Sequence, residues 1–472
     1  MSSRLVDKTA RFSFLAVLVM VGILALPAPQ GGLAPGVAVA LADDGDDGGD
    51  DGGGSGRGRG GGSSGHRGDR GGNGRFEIPR ILRPLFSRSE RQARRAPVRR
   101  SVVIPKQAPN EIVATGLDDG AIAGLTQDGF VIDSRIEVAL IGGEMVRLLV
   151  PRGMTLEAAR AAVSARSATA TVDLNHFYQS QSAKVEKAAC MRESCNLARH
   201  LVGWPTGGDG SGMACLKPQR IGLIDTAINA EHAVLAKARL EVLSLGGGKD
   251  TGSGEQHGTA VAALLVGAPG SRVPGLLPDA EIVAVDAFQR FRKTTDIANV
   301  YDLVRALDLL TQRDVRVVNL SLTGPANAVL QRAVAAAVGR GTILVAAAGN
   351  DGPNAEPVYP AAYDDVIAVT AVDKARNPYR RAVRGDHIDI AAPGVGVWTA
   401  ASVSGARQKN GTSFAAPFVT AAVSVLLSAR PGLSPREVQA DLMKSAEDIG
   451  SPGRDRIYGW GLLNARSLCK KG

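Results

Sequence analysis

The chain has 472 residues, 44% of them hydrophobic and only 4% aromatic, and a formal net charge of +9. That length exceeds one compact core and points to two or three folding units plus unstructured segments; the abundant Ala, Val, Leu and Gly suit parallel strands under closely packed helices better than an aromatic-rich sandwich. Arginines crowd between Arg57 and Arg100, so the basic balance belongs to one polar arm and does not mark the rest of the chain as a polyanion binder.

In chain order, Arg4, Lys8 and Arg11 precede the apolar run Phe12 to Leu26, then prolines and Ala40-Leu-Ala42. Residues 1–42 therefore read as an export signal cleaved after Ala42, and no second membrane span is expected downstream. The run is short for a span, with an uncleaved anchor as the alternative. Residues 43–107 are rich in Gly, Asp and Arg, have almost nothing to bury and are expected to be disordered. Patterning returns in residues 108–190. Strands are expected at Glu111 to Ala114, Glu144 to Val150 and Ala168 to Asp173, with an amphipathic helix from Leu156 to Ala165, which together make a small α+β unit.

Residues 191–472 alternate short apolar runs with helical patterns. Strands are expected at Ile221 to Ile224, Glu281 to Val285, Val315 to Leu320, Thr342 to Ala348 and Asp365 to Ala371. Helical spacing links Ile297, Val300, Val304, Leu307 and Leu310, and a second, Ala-rich helix covers Leu330 to Val338. Strand–helix alternation of this kind predicts an α/β fold, a doubly wound parallel sheet with helices on both faces. Sites of such sheets lie at the carboxyl ends of the strands.

Three segments place reactive side chains at that edge. Asp225 ends the strand Arg220-Ile-Gly-Leu-Ile-Asp225, where its carboxylate can accept a hydrogen bond from an imidazole Nδ1. Taken alone, an acid there is often only a turn residue. His257 opens the buried helical run His257-Gly-Thr-Ala-Val, with its ring in the first turn. Ser413 sits in Gly411-Thr-Ser-Phe-Ala-Ala-Pro417 before an apolar helix from Phe418 to Leu427, whose N-terminus offers unpaired N–H groups and positive dipole to a tetrahedral oxyanion.

The chain order Asp225, His257, Ser413, together with these motifs and Tyr458-Gly-Trp-Gly-Leu-Leu-Asn464, resembles the subtilisin-like serine peptidases from about Arg220 to Ala465. The resemblance implies an exported endopeptidase in which His257 takes a proton from Ser413 and Asp225 orients the imidazole. It implies that Asn350, ending Thr342-Ile-Leu-Val-Ala-Ala-Ala-Gly-Asn350, donates to the oxyanion. Ser321, Leu322, Thr323 and Gly324 would pair with an extended polypeptide substrate. Val358 would line the pocket for the residue before the scissile bond and shorten it, with Asp351 near the rim. The α+β unit resembles a propeptide, an intramolecular inhibitor removed by self-cleavage somewhere between Gln179 and His200. A catalytically silent secreted binding protein on the same fold is the alternative.

Relatives usually carry a second histidine where Ala260 stands. Calcium is the family's usual stabilising ion, but the loop Gly267 to Gly275 lacks carboxylates and asparagines, so no ion is expected there; sites elsewhere stay open and no cofactor is required. The remaining histidines show no metal-ligand spacing. Cys190, Cys195, Cys215 and Cys469 favour disulfides in an exported chain, in any of three pairings. No nucleic-acid partner is expected for the processed domain.

Overall fold

The computed structural model describes residues 104–180, 196–205, 220–245, 252–292, 295–466 and 468. The expected signal, nearly all of the polar arm, the four cysteines and most of the expected self-cleavage segment lie outside the described residues.

The first elements are β1 (Gln107–Thr115), α1 (Asp119–Gln127), β2 (Val131–Val138), β3 (Gly143–Leu149), α2 (Leu156–Ser164) and β4 (Thr171–Ser180). Asp118 and Thr155 cap the two helices by accepting from Ala121 N–H and Ala158 N–H. The helices cover one face of an antiparallel sheet through Ile112, Leu125, Phe130, Leu148 and Val163. Neither α1, which carries two glycines, nor β2, whose Asp133-Ser-Arg135 interrupts the apolar pattern, was expected from sequence.

After a short α3 (Leu197–Leu201) come β5 (Arg220–Asp225), β6 (Arg239–Ser244), α4 (Glu255–Val266), β7 (Glu281–Asp286), β8 (Phe288–Phe291), β9 (Thr295–Asn299) and α5 (Val300–Thr311). Then follow β10 (Val317–Leu320), β11 (Leu322–Thr323), α6 (Ala328–Gly339), β12 (Ile343–Ala347), β13 (Val366–Val372), β14 (Ile390–Pro393), β15 (Val397–Ala400), β16 (Ala406–Lys409), α7 (Thr412–Ala429) and α8 (Pro435–Ser445).

A seven-stranded sheet runs β14-β13-β12-β10-β5-β7-β6, with every neighbouring pair parallel. Helices α4 and α7 share one core with Leu223, Val345 and Val369, and α5 and α6 share the other with Ile224, Val318 and Leu344. Alternate residues of each strand thus enter opposite cores, as the doubly wound reading requires. From β5 the chain moves outward to β6 and β7, then returns to add β10 on the other side. This reversal makes a topological switch point between β5 and β10, where such sheets hold their sites. Ile297, expected at helical spacing, belongs instead to β9.

The antiparallel sheet does not end with the first unit. Strand β4 continues to Ser180, beyond the expected Asp173, and pairs antiparallel with β9 and with β11. The sheet order is β2-β3-β1-β4-β9-β8, with β11 also on β4.

Candidate active site

Asp225 and Ser321 flank the switch point, one ending β5 and the other following β10. Thr226 N–H donates to Asp225 Oδ1 at 2.7 Å, and His257 Nδ1 lies 2.7 Å from the same oxygen. An ionised carboxylate only accepts, so the imidazole proton sits on Nδ1 and Nε2 presents its lone pair. Helix α4 reaches Asp225 because Gly258 lets it: its N–H donates to Thr226 Oγ1 at 3.0 Å, and a Cβ there would fall 2.3 Å from Thr226 O. The imidazole is buried, with Phe414 tilted against it at 5.4 Å between ring centroids.

Ser413 is the second residue of α7, after Gly411, whose φ of 146° gives the turn a backbone that favours glycine. The helix begins at Thr412, earlier than the expected Phe418, and Pro417 lies inside it. Proline has no N–H for the carbonyl four residues back, which here belongs to Ser413. Ser321 Oγ donates to that carbonyl at 3.0 Å instead, and Asn319 Nδ2 donates to Ser321 Oγ at 2.8 Å. One hydroxyl thereby compensates the proline and fixes the start of α7 against β10.

The Ser413 hydroxyl itself donates to Ser321 O at 3.2 Å. His257 Nε2 is buried and has no hydrogen-bond partner among the described residues, as has Asp225 Oδ2. Asp225 and His257 are therefore joined directly, whereas the expected contact between imidazole and hydroxyl is replaced by one to Ser321. Rotation about the serine χ1 is all that separates staggered positions of Oγ.

Asn350 follows β12 through Gly349, whose φ is 99°. Its Oδ1 accepts from Thr412 N–H at 3.0 Å and from Thr412 Oγ1 at 3.2 Å, and Thr412 Oγ1 accepts from Gly349 N–H at 3.1 Å. These bonds define which end of the Asn350 amide accepts, and they bring it to the first turn of α7, whose leading N–H groups have no intrahelical partners. Val358 packs onto Gly349, where a Cβ would meet its Cγ2 at 2.7 Å.

Leu322 and Thr323 pair with Ser180 and Gln179, and Gly324 exchanges both backbone hydrogen bonds with Tyr359 at 2.9 Å. The edge expected to receive an extended peptide thus carries the chain's own strand β4. Tyr178 is fully buried, its Oη donates to Pro325 O at 2.6 Å, and a Cβ on Gly324 would lie 2.5 Å from its ring. Burial raises this phenol well above its usual pKa. Two acids missed in the sequence stand nearby: Asp286, which ends β7 as Asp225 ends β5, and Asp296. The signal that singled out Asp225, an acid closing an apolar strand, applies equally to Asp286. Among the described residues no three His, Cys, Asp or Glu side chains gather as a metal site requires.

Residues 217–461 match the model of the subtilase family. The chain belongs to that family and is a subtilisin-like serine endopeptidase. It is 33% identical to subtilisin DY of Bacillus licheniformis over 256 residues, covering 53% of this chain and 90% of the relative. With the minor extracellular protease Epr of Bacillus subtilis (strain 168) it shares 32% identity over 215 residues, only 32% of that protein's length. Among solved structures, fervidolysin from Fervidobacterium pennivorans, a keratinolytic enzyme related to subtilisin, superposes with a TM-score of 0.66 at 19% identity. That match covers 79% of this chain and 62% of the other, a likeness of fold alone. Among the described residues only Thr412–Ala429 is long and apolar enough to cross a membrane, and it is 89% buried as a core helix.

Proposed function

We propose that the chain is the precursor of an exported endopeptidase that removes its own first layer and then hydrolyses extended polypeptides. Ser413 Oγ attacks a peptide carbonyl while His257 Nε2 takes its proton. The carbon–nitrogen bond breaks as that proton passes to the leaving amine, and water then releases the acyl group from Ser413. Asp225 holds the imidazole tautomer and stabilises the imidazolium. Asn350 and the Ser413 N–H bear the oxyanion charge. Val358 sets a shortened pocket for the residue before the cut, and no metal enters the chemistry.

The observation that carries this reading is strand β4 on the substrate edge. Ser180 pairs with Leu322, the residue after Ser321, whose carbonyl oxygen accepts from the Ser413 hydroxyl. On this reading the first bond cut follows directly after β4, at Gln181–Ser182 within the expected Gln179 to His200 segment, and residues up to 181 are the inhibitor. The silent binding protein draws on the same picture, a serine turned from its histidine beneath a seated strand. Fluorophosphonate labelling and N-terminal sequencing of the exported product separate the two. The enzyme yields a chain beginning at Ser182 and labels at Ser413, whereas Ser413→Ala stays uncut and unlabelled, with kcat toward peptides lowered on the order of 10⁶-fold. A processed, folded wild type that takes no label favours the binder.

A further inference from the structure

We propose that Asp286 is a positioning residue for the peptidase reaction, a second carboxylate that ties the Asp225 turn to the His257 helix and adds its charge behind the pair. The proposal rests on the Asp225–His257–Ser413 reading given above.

Strands β5 and β7 are parallel neighbours in which Asp225 faces Asp286 across the ladder. Adjacent strands lie about 4.8 Å apart, so the two acids end the sheet side by side. Both are buried. Asp286 Oδ1 accepts from Ser253 Oγ at 2.9 Å and from Phe288 N–H at 3.1 Å. Ser253 Oγ in turn accepts from Ala227 N–H at 2.7 Å. Ala227 belongs to the turn that leaves Asp225. Ser253 immediately precedes Gly254, the N-cap of α4, whose third residue is His257. A single hydroxyl held by Asp286 therefore sets the distance between the segment carrying the acid and the helix carrying the base. The neighbouring residue is pinned as well: Gly254 N–H donates to Asp296 Oδ1 at 2.9 Å, and Arg290 Nε pairs with that oxygen at 3.0 Å.

The charge has an effect apart from the tether. An anion beside Asp225 favours the protonated imidazole, the species formed as Ser413 loses its proton. Burial, opposed by the Ser253 and Phe288 hydrogen bonds and reinforced by Asp225 and Asp296, pushes Asp286 up to about 6, so it is ionised at neutral and alkaline pH. The charged and titrating groups acting on Asp286 are Asp225 from β5 and Asp296 from β9, with Arg290 from β8 paired to Asp296 and His257 of α4 also close to it. Ser244 from β6 and Phe414 from α7 bring no charge.

The test is the pH profile of kcat/KM on the processed enzyme, with fluorophosphonate titration counting competent Ser413 sites. Asp286→Asn keeps an oxygen for Ser253 and removes the charge. Its kcat is expected to fall roughly tenfold with KM within about twofold. Its acid limb moves about half a unit or more to lower pH, because losing an anion makes His257 less basic. Ser253→Ala cuts the tether and leaves the charge at alkaline pH, so kcat falls there while the acid limb moves less than in Asp286→Asn. Asp286→Glu, which serves also if the Asn variant fails to fold, keeps the charge on a displaced head and likewise moves the limb less. An acid limb unmoved in Asp286→Asn, or moved equally in Ser253→Ala or Asp286→Glu, overturns the proposal. Failure of the wild type to label at Ser413 overturns the triad reading instead, which no result on Asp286 alone does.

Discussion

The two large sheets bury the same kinds of side chain in different ways. Strands β5, β7, β12 and β13 of the parallel sheet are covered on both faces; β12 and β13 carry no acid, β5 ends in Asp225, and β7 carries acids only at its two ends, Glu281 and Asp286. The antiparallel sheet turns Ile112, Val146 and Leu148 toward α1 and α2 and Val113, Met145 and Tyr178 toward α5 and α6, while β2 at its edge alternates between exposed and half-buried residues along nearly its whole length. Its surface is laced with exposed pairs such as Arg147 Nε to Asp133 Oδ2 at 2.6 Å, a kind of contact that contributes little. Beside the apolar contact with α5 and α6, polar groups dock this layer onto helix ends. Asp173 Oδ2 accepts from Ala328 N–H at the start of α6 at 2.8 Å, and Asn175 Oδ1 accepts from Tyr301 N–H at the start of α5 at 3.3 Å. Asp308 Oδ1 on α5 accepts from Leu140 N–H at 2.7 Å in return. Unpaired helix N–H groups suit an acidic side chain. The parallel layer is thus a core covered on both faces by its own helices, and the antiparallel one is a cover held by an apolar seam of Val113, Val138, Leu140, Met145 and Tyr178 together with these polar points, Tyr178 being the largest of those side chains.

If that division is right, substitutions in the two layers should fail differently. In the parallel layer Asn350→Ala is expected to lower kcat by roughly 10²–10³-fold with little change in KM, since the amide acts on charge formed in the transition state. Steady-state kinetics of the processed enzyme reads this. A loss confined to KM would move Asn350 from the reaction to substrate binding. In the cover, Tyr178→Ala is expected to leave the turnover of the separated enzyme unchanged. It should weaken the hold of the cut cover by roughly 10–100-fold, as removal of a fully buried aromatic anchor does at an interface. Dissociation followed by native mass spectrometry checks it, and an unchanged dissociation constant would shift the weight to Asp173 and Asn175.

The same contrast explains what could be read in the sequence. Strands β5, β7, β10, β12 and β13 announce themselves because burial on both faces demands continuous Val, Ile, Leu and Ala. Strand β6, at the sheet edge with Glu241 and an exposed Val242, gives no such run, and β14 is only four residues long and ends in Pro393. The serine helix was expected to begin after Pro417, yet it begins at Thr412 because Ser321 supplies the bond that proline removes. Within the site, Asp225 and His257 meet as motif and spacing suggest. Asp286 and Ser253 escaped notice because their meaning lies in a strand pairing and a loop return that no local pattern encodes. The Ser413–Ser321 bond was equally invisible, being a choice of rotamer.

The smallest effect tests whether the layers answer pH with opposite signs. Asp389, buried beside β13, accepts from Ala368 N–H through Oδ2 at 2.9 Å and from Arg454 Nη2 through Oδ1 at 3.3 Å, and burial pushes it up to about 6. A carboxyl raised in the folded state stays protonated while the unfolded chain ionises, so its contribution is present below about pH 4 and is lost as pH rises to about 6. Asp389→Asn should therefore gain on the wild type by about 1–2 kcal/mol in urea unfolding of the processed enzyme across that interval. In the cover, His176 is lowered from 6.5 chiefly by burial, with Arg160 and Lys106 adding to the effect against Asp173. Its Nδ1 lies 2.8 Å from Asn327 Nδ2, an amide donor that needs a neutral ring nitrogen as acceptor. The released cover takes up the proton first, so docking is complete above about pH 6.5 and weakens as pH falls through the lower docked value, by at most about tenfold per pH unit for one proton. His176→Gln, neutral at every pH, should flatten that fall in the dissociation constant while leaving the Asp389 slope untouched. If one substitution moved both slopes, the layers would be a single cooperative unit and not a core beneath a detachable cover.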